Sequence, residues 1–183
     1  LILGDFIYHG GEDPTGRIRR AAALVAPLEE AGIPAYAVLG NHDYSVVSSE
    51  NPDADEKRAR SLAAALEQAG VRVLQNGAVS VGPSGESEED EGARLYLVGL
   101  GAHMPSKDEP VPALEGVPEG AARVVMMHNP DTFATVPAGA APLAVAGHTH
   151  GGQIRIPFTP QWTWLTYLAE DRIHADILAA TEV

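Results

Sequence analysis

Four short apolar segments of this chain each end in side chains of the type that bind metal ions. Each segment has the composition of a buried β-strand, and glycine directly precedes three of the four polar clusters. The carboxyl ends of strands in an α/β sheet open onto a common crevice, so residues that are distant in sequence converge there. The sequence therefore predicts a metal site at one edge of an α/β sheet. The clusters are Gly4-Asp5, Gly40-Asn41-His42-Asp43, His128-Asn129 and Gly147-His148-Thr149-His150.

The residue types in these clusters indicate which metals would bind. Asp, Asn and His supply oxygen and nitrogen ligands, and the chain has no cysteine that would add sulfur. Such a donor set suits Mn, Zn, Fe or a similar divalent ion rather than Ca alone. Any one cluster is weak evidence, since a single histidine often belongs to a core. Their joint occurrence at strand ends favours a metal site.

Two segments have the apolar periodicity of amphipathic helices. Segment 15–31 repeats apolar residues at helical spacing, although Pro27 should kink or split a helix there. Segment 54–69 is the clearest helix, and Asp53 and Glu56 have the spacing of a reciprocal N-terminal cap. Its predicted apolar face consists of Ala59, Leu62, Ala63 and Leu66.

Several further segments are predicted to be strands. Segments 71–74 and 78–81 flank Asn76-Gly77, a dipeptide that tolerates the positive φ angles of a tight turn, which predicts an antiparallel hairpin. The acidic segment 83–92 is interpreted as a solvated hairpin tip. No repeat or linker divides the chain, which indicates one domain over residues 1–183. Other buried strands are predicted at 94–100, 122–127, 143–146 and 153–156.

Composition and charge limit the classes of function. The formal net charge is −13, from 12 Lys and Arg against 25 Asp and Glu, so the surface repels phosphate polymers and long nucleic acid is a poor substrate. The absence of cysteine excludes disulfides, thiolate metal sites and cysteine nucleophiles, and leaves the compartment undecided. The longest apolar stretch, residues 21–28, is much shorter than the about 20 residues that a membrane-spanning helix needs.

The strand-end motifs resemble those of a known enzyme family. Motifs two to five of the calcineurin-like metallophosphoesterases are similar to Gly4-Asp5, Gly40-Asn41-His42-Asp43, His128 and Gly147-His148-Thr149-His150, and the resemblance covers nearly all of the chain. It implies an αββα sandwich in which two mixed sheets are flanked by helices. It also implies two divalent metal ions, with Mn most typical and Fe, Zn or Mg as alternatives.

The resemblance assigns metal ligands by position. The carboxylate of Asp5 would bridge the two ions, Asn41, His128 and His148 would complete the second site, and His150 would serve the first. Two ions about 3.5 to 4 Å apart bind phosphoryl oxygens and lower the pKa of a shared water, which then attacks in line with the leaving group. The expected activity is therefore hydrolysis of phosphate esters without a covalent intermediate.

The resemblance also assigns two catalytic residues. His42 would lie just outside the metals, held by Asp43, where it would stabilise the transition-state oxyanion or protonate the leaving alkoxide. A serine or threonine nucleophile is not expected, because Thr149 lacks an adjacent base.

The end of the motif region indicates a branch of the family. Gly151-Gly152-Gln153, followed by Pro157, resembles a bacterial branch that includes membrane-associated phosphodiesterases and lies near the UDP-2,3-diacylglucosamine hydrolases. The substrate is therefore expected to be a small or lipid-linked phosphodiester or phosphomonoester. The first family motif, Asp-x-His, is absent and the sequence opens inside a strand, so we expect a preceding segment that supplies two metal ligands. Membrane association through that segment stays open.

Two other functions remain open at this point. One is a catalytically silent scaffold that keeps the fold and binds a partner protein, and the other is a nuclease of the same family, which the negative charge disfavours. His9 and His103 border the predicted crevice but are interpreted as surface residues, and His174 receives no role. Trp162 and Trp164 would either pack under a proline-rich loop or form an apolar wall for a lipid-like or nucleoside group.

Overall fold

The chain folds as alternating strands and helices. The computed structural model describes residues 1–8, 13–47, 53–82 and 94–150. The strands are β1 (Ile2–Leu3), β2 (Ala35–Val38), β3 (Val71–Val73), β4 (Gly77–Val81), β5 (Leu95–Gly99), β6 (Arg123–Met127) and β7 (Ala144–Ala146). The α-helices are α1 (Pro14–Glu30), α2 (Glu56–Gln68) and α3 (Pro110–Leu114), and two 3₁₀ helices span Asn41–Tyr44 and Pro130–Thr135.

The strands form two sheets with the orders β1-β2-β3 and β4-β5-β6-β7. The strands of the first sheet are parallel. In the second sheet β5, β6 and β7 are parallel, and β4 runs antiparallel to β5. Because β2 contacts β6 across the two sheets, the polar residues that follow both sets of strands reach the same region.

Three apolar clusters separate four layers of structure. In β2, Ala37 faces the layer of α1 and α2, whereas the next residue, Val38, packs between the sheets. In β6, Met126 packs between the sheets, and its neighbours Val125 and Met127 face the outer layer that contains α3. This alternation follows from the two-residue period of a strand buried on both faces. The predicted αββα sandwich is confirmed.

Helix α1 continues through Pro27 to Glu30, so the expectation that proline splits this segment is wrong. Proline removes one backbone donor, but Pro27 lies in the last turn of the helix, so only a few helical hydrogen bonds follow it. The end of the helix is still closed by hydrogen bonds from Ala31 N to the Pro27 carbonyl, at 3.1 Å, and from Gly32 N to the Glu29 carbonyl, at 2.9 Å.

Helix α2 buries the predicted face of Ala59, Leu62, Ala63 and Leu66. The predicted cap is wrong by two residues, because the N-cap is Asp55 and not Asp53. The Asp55 side chain accepts a hydrogen bond from the backbone N of Arg58 at 2.9 Å. Tertiary contact decides this position, since Asp55 N also donates to the Tyr44 carbonyl at 2.8 Å and ties the helix start to the loop after β2.

The predicted hairpin around Asn76-Gly77 is wrong. β3 pairs with β2 in the first sheet, and β4 pairs with β5 in the second, so Asn76 lies in a crossover between the sheets. Asn76 does adopt a positive φ, +50°, as the local signal requires. The pairing differs because strand partners are chosen by long-range packing, which a turn dipeptide does not specify. β4 and β5 are antiparallel on either side of the acidic segment, with Val81 opposite Leu95.

Some predictions concern parts of the chain outside the described residues. They include the strand at 153–156, the acidic segment 83–92, the Gly-Gly-Gln signature, His9, His174 and both tryptophans. In the part of the chain that the structure describes, no helix combines the length and the apolar character needed to cross a membrane.

Candidate metal centre

Three side chains that follow β1, β2 and β7 converge on one atom of a fourth, Nε2 of His128, which follows β6. This atom lies 3.1 Å from Oδ1 of Asn41, 3.2 Å from Oδ2 of Asp5 and 3.2 Å from Nδ1 of His148. These are the four residues that the resemblance assigned to the second metal. Among the described residues, ligand atoms of Asp5, His128 and His148 all lie within 4.8 Å of one another.

His128 is oriented by a backbone carbonyl. Its Nδ1 donates to the carbonyl oxygen of Leu3 at 2.5 Å, and its side chain is almost completely buried. Because Nδ1 is bound to this carbonyl, Nε2 is the ring nitrogen that faces Asp5, Asn41 and His148 and that would bind a metal. Metal-binding histidines are typically held in this way, with the second ring nitrogen bound to an acceptor.

Asn41 is oriented by the 3₁₀ helix that it begins. Its Nδ2 donates to the carbonyl oxygen of Val46 at 2.8 Å, so that Oδ1, which a metal would bind, points toward His128. The residue is buried, and both ends of its amide have partners. This arrangement avoids the cost of an unpaired buried amide.

Asp5 reaches the centre through an unusual backbone conformation. Its φ is +58°, which aspartate tolerates better than most residues. The strand exits also approach closely, since a Cβ on Gly40 would lie 2.3 Å from Oδ1 of Asp5. Oδ1 accepts a hydrogen bond from the backbone N of His42 at 3.1 Å, which leaves Oδ2 directed at His128.

His148 lies edge-on to His128, with ring centroids 5.0 Å apart and an interplanar angle of 72°. Burial, together with the charge on His128, lowers the pKa of His148 to about 4. This side chain is therefore neutral at physiological pH, as a metal ligand must be.

Asp5 and His128 form a coupled pair. Burial alone would raise the pKa of Asp5, but the hydrogen bond and charge of His128 outweigh it and lower that pKa below its ordinary value. Burial alone would lower the pKa of His128, but the hydrogen bond and charge of Asp5 raise it. The pair thus holds a proton between a carboxylate and an imidazole, at a place where a divalent cation would satisfy both groups.

Asp43 organises the loops around the centre. Its Oδ2 accepts from the backbone N of Gly40 at 2.8 Å and of Asp5 at 2.9 Å, and its Oδ1 accepts from Ile7 N at 3.1 Å. Burial raises the pKa of Asp43 to about 6 despite these donors. The sequence had assigned Asp43 to hold the His42 side chain. The backbone contacts of Asp43 join the exit loops of β1 and β2.

The other predicted site residues lie at the rim. The His42 ring is half-buried and packs against Tyr8, with centroids 4.6 Å apart and an interplanar angle of 46°. His150 is exposed and is outside the group of ligand atoms within 4.8 Å. His42 therefore borders the centre, whereas the position of His150 does not add a ligand to it.

Sequence reasoning missed Arg58, which joins the same loops. Nη1 of Arg58 donates to Oγ of Ser45 at 3.0 Å, and Nη2 donates to the carbonyl oxygens of Tyr8 and Ile7 at 3.3 and 3.4 Å. An arginine on the polar side of a helix carries no local signal for this role. The carbonyl partners of His128 and Asn41 were missed for a similar reason, since every residue has a carbonyl.

The donor set fits a divalent transition metal. It combines a carboxylate oxygen, an amide oxygen and two imidazole nitrogens, with no thiolate, and the orientations of His128 and Asn41 are fixed by neighbours. The ligand atoms come from four separate strand ends, so the fold itself brings them together.

Known proteins resemble this chain over most of its length. The family model for calcineurin-like phosphoesterases matches residues 1–152. Phosphodiesterase YaeI of Escherichia coli (strain K12) is 31% identical over 157 residues, which cover 86% of this chain and 50% of that protein. The chain thus spans about half the length of this curated relative.

Proposed function

Because this chain belongs to the calcineurin-like phosphoesterase family, we propose that it hydrolyses small phosphodiesters with divalent metal ions bound at the ends of β1, β2, β6 and β7. The observation that carries the proposal is the convergence of Asp5, Asn41 and His148 on Nε2 of His128, within 3.2 Å. A donor set that converges in this way has little structural purpose without a cation.

The proposed metal ligands are Asp5, Asn41, His128 and His148, and Mn²⁺ is the proposed ion. Divalent ions bound there would neutralise the phosphoryl oxygens and activate a water for attack on phosphorus. The protein contributes the fixed geometry, because the carbonyl of Leu3 orients His128. His150 is proposed as a ligand of a first metal.

His42 is proposed to act on the leaving group. Its backbone N binds Oδ1 of Asp5, and its ring is only half-buried, so an ester bound at the centre could reach it. An imidazole there can donate a hydrogen bond or a proton to the departing oxygen. Asp43 is proposed to support this geometry through the backbone of the two exit loops.

The substrate class is proposed from the relative and from charge. The relative is named a phosphodiesterase, and the net charge of −13 disfavours long nucleic acid. A small diester, including a lipid-linked one, is therefore favoured over a polymer. The alternative of a silent scaffold is disfavoured because Asp5, Asn41 and His148 all lie close to Nε2 of His128.

The test compares metal binding with turnover. Titration calorimetry with Mn²⁺ should detect binding that His148→Ala abolishes, because this variant removes one of four ligands. Thr149→Ala alters the same loop without removing a nitrogen donor and should bind normally. In assays with bis-p-nitrophenyl phosphate and p-nitrophenyl phosphate, the diester should be hydrolysed at least as fast as the monoester.

His42→Ala separates binding from chemistry. It should bind Mn²⁺ normally and lose about 10²-fold or more in turnover, the usual effect of removing a positioned acid or oxyanion donor. Unchanged metal binding in His148→Ala would refute the metal assignment. Loss of metal in His42→Ala would show that this residue is a ligand, and hydrolysis of the monoester alone would change the proposal to a phosphatase.

A further inference from the structure

A half-exposed histidine is held by a buried carboxylate in the β5 exit loop, residues 100–109. Nδ1 of His103 lies 2.8 Å from Oδ2 of Asp108, and the Asp108 side chain is 7% exposed whereas that of His103 is 40% exposed. Because Nδ1 donates to the carboxylate, Nε2 is the ring nitrogen through which His103 can bind a ligand.

The β5 exit loop is fixed at both ends by the side chain of Asn76. Oδ1 accepts from the backbone N of Gly101 at 2.8 Å and of Glu109 at 2.9 Å, and Nδ2 donates to the carbonyl of Lys107 at 2.6 Å. His103 thus lies in a preorganised loop. A site on such a scaffold needs less ordering when a ligand binds.

The β5 exit loop lies beside the 3₁₀ helix that carries His42. β5 is the neighbour of β6, and a Cβ on Gly99 would lie 3.1 Å from Cγ1 of Val38, so the end of β5 faces the end of β2. The Tyr44 hydroxyl lies 3.4 Å from Oε1 of Gln75, the residue directly before Asn76.

The residues on both sides of His103 are anchored in the same region. Ala102 is buried in the core cluster that contains Tyr44 and Val46, and Met104 packs against that cluster. The His103 side chain between them is therefore close to the exit loop of β2.

The exposed imidazole of His103 suits a polar ligand. Nζ of Lys107 lies 2.5 Å from a carboxylate oxygen of Glu56, so this cation already has a counter-charge within the protein. A hydroxyl both donates and accepts, so it can bind Nε2 in either protonation state of the ring.

We propose that His103, positioned by Asp108, is a substrate-binding residue that binds a hydroxyl on one ester substituent of a phosphodiester. This inference rests on the proposed function. The phosphoryl group itself would lie at the metal centre, and His103 is one strand further along the sheet, where it meets the group attached to phosphorus. His103 then selects esters with polar substituents over those without.

The experiment compares two diesters with Mn²⁺ present. Bis-p-nitrophenyl phosphate has no hydroxyl on its substituents, whereas the p-nitrophenyl ester of thymidine 5′-monophosphate has one. For His103→Ala we expect KM for the thymidine ester to rise about 5- to 10-fold, as for loss of one hydrogen bond. The kcat/KM for bis-p-nitrophenyl phosphate should change by less than about 2-fold. Asp108→Asn, which keeps the imidazole but loosens it, should raise the same KM by a smaller factor.

Lys107→Ala is the matched control, since it removes a cation from the same loop without altering the contact between His103 and Asp108. It should leave both substrates unaffected. Equal losses on both diesters in His103→Ala, or no loss on either, would overturn the proposal, because a loop-folding role does not discriminate between substituents.

A wild-type protein that turns over neither diester would leave the role of His103 to be decided by binding. In that case calorimetry with the thymidine ester decides it, and equal Kd values for wild type and His103→Ala would overturn the proposal. A Kd that is about 5-fold weaker in the variant would support it.

Discussion

Replacing Gly4 with alanine should disturb the metal centre, because the added Cβ would clash with neighbouring residues as well as strain the backbone. Gly4 has a φ of +88°, and a Cβ there would lie 2.5 Å from the backbone N of Gly40 and 2.7 Å from Nδ1 of His128. Gly116 offers a matched control, because its φ is +83° and a Cβ there would meet nothing within 4 Å. The difference between the two variants therefore isolates the steric term.

The two terms have separate magnitudes. An alanine at positive φ costs about 1 to 2 kcal/mol in either position. Overpacking against the backbone of a neighbouring strand exit adds about 1 to 3 kcal/mol. We therefore expect Gly4→Ala to lower the free energy of unfolding by about 2 to 5 kcal/mol and Gly116→Ala by about 1 to 2 kcal/mol. The clash also pushes against His128 at the nitrogen that binds Leu3, so Mn²⁺ affinity should fall by about 10-fold or more in Gly4→Ala alone.

Urea denaturation measures the free energies of unfolding, and titration calorimetry measures Mn²⁺ affinity in the same preparations. Equal destabilisation of the two variants, with Mn²⁺ affinity unchanged in Gly4→Ala, would show that the strand exits are not in close contact. The geometry of the centre would then be wrong.

Two further predictions follow from the charges of the centre. Mn²⁺ affinity should fall as the pH is lowered through the pKa of His128, which Asp5 raises. The expected fall is up to about 10-fold per pH unit, because a proton competes with the metal for Nε2. A Mn²⁺ affinity that calorimetry finds independent of pH would contradict this. Asp43→Asn should destabilise the fold by about 1 to 3 kcal/mol in urea denaturation. Both carboxylate oxygens of Asp43 accept from backbone N–H groups, and the NH₂ group of asparagine cannot accept such a bond. Stability equal to wild type would show that those bonds are weak.

Sequence alone predicted which polar residues converge, because each of them closely follows a short apolar strand. Asp5, Asn41, His128 and His148 each follow a short apolar strand, and parallel strands bring their carboxyl ends to a common edge. The same local logic identified the buried face of α2, since helical periodicity determines which residues share a side.

Only the tertiary structure decided which strands pair with each other and where α2 begins. Asn76-Gly77 signals a turn, and the positive φ of Asn76 agrees with that signal. Yet the strands on either side pair in different sheets, because pairing depends on packing far along the chain. The cap of α2 at Asp55 was likewise decided by a bond to Tyr44, which is outside the helix.

The same division applies within the site. Residue types reveal that an imidazole or a carboxylate can bind a metal, but main-chain donors and acceptors are present at every position and carry no signal. The three backbone bonds of Asp43, the carbonyl that orients His128, and the contact between His103 and Asp108 became visible only in the fold. The types of side chain in the sequence indicate which chemistry is possible. The orientation of those side chains depends on which backbone atoms the folded chain brings within about 3 Å of them.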